Sequence, residues 1–475
     1  MSSVTKPSKQ KRTFLCQDCG HTSPKWDGRC PACGAWGTYA EFSESKSQVV
    51  PAAARRLPRI EAVPVIAPLA DQPGGDEPRI DCGMGEVDRL LGGGVVPGSV
   101  MLLAGDPGIG KSTLLLQIAA RVAEAGSKVL YVSGEESGAQ VRMRGTRIGA
   151  HSPLLLFADE TNVDAIVSLL DGERPGLAVV DSVQTLYCER TQSGAGSVAQ
   201  VRDCAQILLG WAKSRGVPLF LAGHVTKDGN IAGPRLLEHM VDVVLYMDGD
   251  ELGNYRMLRC TKNRFGSTND VALLEMRGDG LAEVSDPSAA LIAERQPGVP
   301  GSAIIVTLEG SRPLLSEVQA LTNPSAYSPP RRTANGVDFN RMAMLSAVLS
   351  RRSRLALGNQ DIMVNVPGGL KVGEPAADLG LALAIASSYL DVPLDPRTVF
   401  LGEVGLNGEV RRIPQIERRL AEASRHGFKT AMVPRNSAGR LGEAPGIRVV
   451  AVDSLAGAMA ECGLSRRTPS PGQEP

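Results

Sequence analysis

The chain has 475 residues, enough for about three domains, and its 51 Lys and Arg are matched by 51 Asp and Glu. Zero formal net charge excludes a polyanion gripped by global electrostatics, so any nucleic-acid surface has to be a local patch. The 43% apolar content with only 4% aromatics calls for aliphatic cores; no apolar run reaches membrane-spanning length, and no apolar segment follows Lys6, Lys9, Lys11 and Arg12 as a secretory leader would require.

Residues 1–12 are polar and basic. Residues 14–42 carry Cys16-Gln-Asp-Cys19 and Cys30-Pro-Ala-Cys33, two C-x-x-C pairs. Each pair brackets a tight turn, so four thiolates can converge on one ion in the closed tetrahedral set that suits structural Zn²⁺. A rubredoxin-like iron site is the alternative for the same ligands. So small a segment has little core, and metal would supply much of its folding energy. Lys25, Trp26, Arg29 and Trp36 either touch nucleic acid or another subunit, or cover the metal site. The other five cysteines, Cys82, Cys188, Cys204, Cys260 and Cys462, are scattered, which is cytosolic usage and predicts a cytoplasmic protein.

Residues 43–79 read as a linker rich in Ala and Pro. From residue 80 short apolar runs alternate with helical stretches, at Ser99–Ala104, Lys128–Ser133, Leu154–Phe157, Leu177–Val180, Val217–Ala222 and Val241–Tyr246. Strands buried on both faces look like this, and helical spacers imply a parallel α/β sheet over 80–290. The pattern breaks at Gln296-Pro-Gly-Val-Pro300. A second α/β region follows over 300–462, and residues 463–475 read as a tail.

Between the first strand and the first long helix lie Gly105, Asp106, Pro107, Gly108, Ile109, Gly110, Lys111, Ser112 and Thr113, which fit G-x-x-x-x-G-K-[ST]. Backbone N–H groups of such a loop wrap phosphate at a helix N-terminus. Lys111 can reach the β- and γ-phosphates of ATP, and Ser112 can hold Mg²⁺. Asp181 closes an apolar strand and can orient Mg²⁺ through water. Glu135 and Glu136 follow the strand at Ser133. Glu135, the first to leave it, is expected to polarise the attacking water. His224 ends a further strand and can sense the γ-phosphate. Lys262 and Arg264 follow the strand-like run Tyr255–Thr261. If the strand continues, both point the same way, and they can reach a neighbouring subunit's phosphates as an arginine finger does.

In this order the cysteine ribbon, the Gly105–Thr113 loop, Ser133-Gly-Glu-Glu-Ser137 and Lys262-Asn-Arg-Phe-Gly266 resemble the bacterial RadA (Sms) family of DNA-repair ATPases. The resemblance covers nearly the whole chain apart from its two ends. It implies an α/β chain with a RecA-like P-loop ATPase domain, a small N-terminal zinc ribbon and a C-terminal Lon-protease-like domain. It also implies a homo-oligomeric ring, a hexamer, working on single-stranded and branched DNA. Such a ring would promote branch migration and processing of recombination intermediates beside a RecA-type recombinase. Lys262 and Arg264 would then act in trans, and Lys227 and Arg235 of the stretch Thr226–Arg235 would track phosphates in the ring's channel. Where a Lon-like peptidase needs serine and lysine, the matching positions hold Ala376 and Glu417, so no peptidase activity is expected. The arginines of the same region, from Arg331-Arg332 through Arg351-Arg352 and Arg354 to Arg411-Arg412 and Arg418-Arg419, with Lys371, can form a surface for duplex DNA. Two other functions fit parts of the chain. One is a nucleotide-controlled DNA-binding switch without translocation; the other is an ATP-dependent protease.

Overall fold

A computed structural model describes residues 13–16, 22–23, 25–26, 28–31, 34, 36–37, 39–42, 78–191, 193–224, 232–249, 254–439 and 446–464. Residues 43–77 of the predicted linker and 465–475 of the predicted tail lie outside these. The N-terminal ribbon is a three-stranded antiparallel sheet in the order β2-β1-β3, from β1 (Thr13–Cys16), β2 (Thr22–Ser23) and β3 (Tyr39–Phe42). Beyond β2, Gly34 N–H closes a turn on the Cys30 carbonyl at 2.8 Å, and Arg29 pairs with Trp36.

The chain forms two compact units. The first runs through residue 248 and takes in 258–268 and 277–281; the second holds 249–257, 269–276 and the chain from 282. After the ribbon, the first unit alternates through α1 (Gly85–Leu90), β4 (Val100–Gly105), α2 (Lys111–Glu124), β5 (Val129–Ser133), α3 (Gly138–Arg147), β6 (Leu155–Asp159), α4 (Val163–Glu173), β7 (Leu177–Asp181), α5 (Val198–Arg215), β8 (Leu219–His224), α6 (Ala232–Met240) and β9 (Val243–Asp248). These six strands from β4 to β9 are parallel and lie in the order β9-β4-β8-β7-β5-β6. Every residue of β4, β5 and β7 is buried, which is why their sequences are continuous apolar runs rather than alternating ones.

Helix ends are set locally. Asn162 accepts from the N–H groups of Asp164 and Ala165 at the start of α4, and Ser197 accepts from Gln200 N–H at the start of α5. One aliphatic cluster joins Val100, Leu102, Leu130, Val132 and Val180 of the sheet to Ile166, Leu170, Leu208 and Trp211 of α4 and α5. α6 begins at Ala232, so the last residues of the stretch read as a channel loop, through Arg235, are helical. Residues 225–231, Lys227 among them, lie outside the described residues.

The strands β10 (Tyr255–Asn263), β11 (Val271–Arg277) and β12 (Gly280–Glu283) are divided between the units. The second unit continues through α7 (Pro287–Ile292), β13 (Ser302–Glu309), β14 (Arg312–Pro324), β15 (Arg332–Asn335), α8 (Phe339–Arg352), β16 (Gln360–Asn365), α9 (Asp378–Leu390), β17 (Thr398–Phe400), β18 (Glu403–Val404), β19 (Val410–Arg411), α10 (Ile416–Arg425), β20 (Thr430–Pro434), α11 (Arg435–Ala438), β21 (Arg448–Val452) and α12 (Leu455–Glu461). Its main sheet is seven-stranded, β15-β16-β14-β13-β17-β20-β21. α9, buried along nearly its whole length, lies between this sheet and α8.

The stretch matching a peptidase centre is built around an ion pair. Ala376 is 2% exposed and Glu417 faces solvent. Arg419, fully buried, donates to both Glu374 carboxylate oxygens at 2.6 and 2.7 Å and to the Val306 and Pro414 carbonyls. Glu374 also accepts from Leu308 N–H at 2.6 Å. Arg419 therefore drops out of the arginines expected to meet DNA, because its guanidinium is spent inside the unit. Arg332 is similarly turned onto the carbonyls of Leu357 and Gln360, whereas Arg351, Arg354 and Arg412 are exposed.

Removing one partner of a buried pair strands the other charge. Arg419→Met is expected to lower stability by about 3 kcal/mol, at the low end for such pairs because Glu374 is 22% exposed. The shift of the second unit's denaturant midpoint measures it.

Candidate nucleotide site

Parallel pairing brings the carboxyl ends of β4, β8, β7 and β5 to one edge, where open α/β sheets bind ligands. Gly105 is in register with His224, and Ser133 with Asp181. The His224 side chain lies outside the described residues. Between β4 and α2 the Gly105–Thr113 loop turns tightly. A Cβ on Gly105 would sit 2.5 Å from the Met247 carbonyl oxygen, and Gly110, which caps α2, has φ +117°. Only glycine meets both demands without strain. Ile109, 2% exposed, anchors the loop, while Pro107 and Gly108 are exposed at its tip.

Lys111 is 3% exposed and donates to the Gly105 and Asp106 carbonyls at 2.9 and 2.8 Å. Burial pushes its pKa down, opposed by the carboxylates of Asp181, Glu135 and Asp106. The ammonium therefore shares one site with Asp106 of its own loop and with Glu135 and Asp181 from distant parts of the sequence. Asp181, 3% exposed, accepts from the Tyr131 hydroxyl at 2.7 Å. Burial first, and Asp181 next, raise the Tyr131 pKa well above its ordinary value, so the phenol stays a donor. Ser182, fully buried, donates to Glu135. Glu136 instead faces Arg144, which donates to it at 2.7 Å. The two adjacent carboxylates thus have different surroundings: Glu135 turns toward Asp181-Ser182, and Glu136 is tied to α3.

Sequence reasoning missed Tyr131, Ser182 and Arg144. Tyr131 reads as one more apolar strand residue, and nothing in the chain announces a partner 50 residues away.

The remaining two candidates sit elsewhere. β10 ends at Asn263, so the period-two alternation does not carry on to Arg264 and the two cations part. Lys262 donates to the Glu238, His239 and Val241 carbonyls at the C-terminus of α6, at 2.7, 3.3 and 2.8 Å, a favourable place for a cation. Arg264 is 54% exposed and lies 3.4 Å from Asp242. Asp242 accepts from Val100 N–H, at the amino end of β4. The six residues of β4, at about 3.3 Å each, place that end about 17 Å from the phosphate loop. Neither cation is brought to the chain's own Lys111.

The phosphate loop, the α2 N-terminus aimed at it, and the buried Lys111 and Asp181 beside the exposed Glu135 fit a nucleoside triphosphate and its cation. Of the ribbon's four candidate ligands, Cys30 is 1% exposed, Cys16 closes β1, and Cys19 and Cys33 lie outside the described residues. Among the described residues no helix is long and apolar enough to cross a membrane.

The fold and this site define a RecA-like P-loop ATPase carrying a metal-binding ribbon and a Lon-protease-like domain. Residues 78–230 match the family described as AAA domain, 334–437 match Subunit ChlI of Mg-chelatase, and 14–41 match Rubredoxin metal binding domain. DNA repair protein RadA of Bacillus subtilis is 47% identical over 95% of this chain and 98% of its own length, and that of Halalkalibacterium halodurans is 46% identical over 95% and 98%. The crystal structure of the RadB recombinase covers 43% of this chain and all of its own at 22% identity, with a TM-score of 0.36. The chain belongs to the RadA family of DNA repair proteins and is a DNA-repair ATPase.

Proposed function

We propose that the chain is a DNA-stimulated ATPase motor that assembles into a homo-oligomeric ring, a hexamer, on single-stranded and branched DNA. In the cytoplasm it would drive branch migration during recombinational repair beside a RecA-type recombinase. The observation that carries this reading is the position of Arg264, exposed and about 17 Å of sheet away from its own phosphate loop. A motor whose site is finished by a neighbour couples hydrolysis to assembly.

Within one subunit, Gly105 to Thr113 would cradle the phosphates and Lys111 would leave the loop carbonyls for the β- and γ-oxygens. Ser112 and Asp181 would hold Mg²⁺, which when bound neutralises developing phosphate charge. Glu135 would accept the proton of the attacking water, with Ser182 fixing its orientation, and Tyr131 would fix Asp181. Arg264 of one subunit would meet the γ-phosphate held by the next. Lys262 serves this by holding α6 to the end of β10. The four ribbon cysteines would take Zn²⁺, checked by metal content against thiol reactivity with and without chelator. The Lon-like unit would serve as scaffold and DNA contact without peptidase activity, since Ala376 offers no nucleophile and Arg419 is locked to Glu374; intact casein after incubation with ATP is the check.

Strand exchange on a branched DNA substrate tests motor against switch. Branch migration is expected with ATP and lost both with a non-hydrolysable analogue and in Lys111→Ala. Migration at full rate with the analogue would leave a nucleotide-controlled switch as the better description.

A further inference from the structure

The chain has three tryptophans. Trp211 is 6% exposed and its indole donates to Asp171 at 2.9 Å. The other two, Trp26 and Trp36, are in the ribbon and are 57% and 75% exposed. Both border one residue: a Cβ built on Gly28 would lie 3.8 Å from Trp36 and 4.0 Å from Trp26. A side chain at this position would touch both rings at ordinary van der Waals distance. The Arg29 guanidinium stands 5.9 Å from the Trp36 ring centre, held there by a 3.0 Å hydrogen bond from its Nε to the Gly34 carbonyl. Lys25 is exposed beside Trp26.

Exposing two indoles in water is costly unless something covers them. In a chain this poor in aromatics, both exposed tryptophans fall on one small surface.

We propose that Trp26 and Trp36 form a base-stacking platform for single-stranded DNA, with Lys25 and Arg29 reaching the adjacent phosphates. The platform rests on the reading above that the chain acts on single strands, and it assigns the ribbon a ligand-binding role besides its metal. Every base has a π-face, so stacking is sequence-tolerant, as a moving motor requires. Lys25 and Arg29 outnumber Asp27 in this segment by a single charge. Stacking rather than charge therefore dominates, and this contribution should survive added salt, unlike phosphate contacts.

The test uses the full chain, an oligothymidylate strand and an abasic strand of equal length. With Trp211 buried, quenching of tryptophan emission on adding oligothymidylate reports on Trp26 and Trp36. The double variant Trp26→Ala, Trp36→Ala is expected to lose the quench and to bind about 5- to 100-fold more weakly. Its salt slope should be unchanged and its affinity for the abasic strand the same as the parent's. Trp26→Phe with Trp36→Phe keeps two aromatic faces and is expected to recover most of the affinity, which excludes misfolding as the cause. A parent that binds oligothymidylate without quenching, or a double alanine variant that binds it equally well, would overturn the platform and leave the DNA-motor reading standing, with a protein partner as the ribbon's occupant. A parent that binds neither strand would overturn both.

Discussion

Arg264→Ala is expected to lower ATP turnover by about 10³- to 10⁵-fold, the range for removing an arginine finger. The fold should be little affected. Arg264 is 54% exposed, and the buried Asp242 that it meets at 3.4 Å still accepts from Val100 N–H and keeps Lys213 at 3.5 Å when the guanidinium is removed. The decisive measurement mixes subunits. Lys111→Ala chains lack the phosphate grip but keep Arg264; Arg264→Ala chains lack the finger but keep the phosphate loop. Where an intact loop of one faces an intact Arg264 of the other, a complete site re-forms, so mixtures of two inactive proteins should regain hydrolysis. Absence of rescue under conditions where the chains co-assemble would count against a shared site. Lys262→Ala is the poorer probe. It removes three hydrogen bonds to carbonyls at the end of α6, so a loss of activity there would not separate chemistry from structure.

Glu135→Gln should reduce turnover by about 10²- to 10⁴-fold, the contribution of a positioned general base, while ATP still binds. Glutamine keeps the size of the side chain and a carbonyl oxygen to accept from Ser182. What it loses is the ability to take a proton. Glu136→Gln is the matched control. That carboxylate is held by Arg144 at 2.7 Å, so its replacement is expected to loosen α3 and leave the chemical step nearly intact. Single-turnover hydrolysis beside nucleotide titration separates the two effects. If Glu136→Gln proved the slower variant, the roles of the two acids would have to be exchanged.

The contrast between these two neighbours marks the boundary between what local sequence and tertiary structure decide. The phosphate loop was legible because its chemistry is contiguous: a strand, glycines at fixed offsets, and a lysine opening a helix all act over nine residues. The alternation of buried strands with helices was legible for the same reason, since burial on both faces writes an unbroken apolar run. The α/β class, the ribbon and the family followed from such local signals. Pairings across the fold were not legible. Ser182 meets Glu135 over 47 positions, Tyr131 meets Asp181 over 50, and Arg419 meets Glu374 over 45. Periodicity says which face a residue takes but not which strand lies beside it or in what register. The end of β10 at Asn263 likewise separated Lys262 from Arg264, turning one into a helix C-terminal ligand and leaving the other in solvent. The sequence alone determined that this chain grips phosphate and what class of fold does so. The order and register of the parallel strands decided which acid faces the lysine and placed Arg264 at the far edge of the sheet, because hydrogen-bonded pairing, not chain proximity, sets which residues share a site.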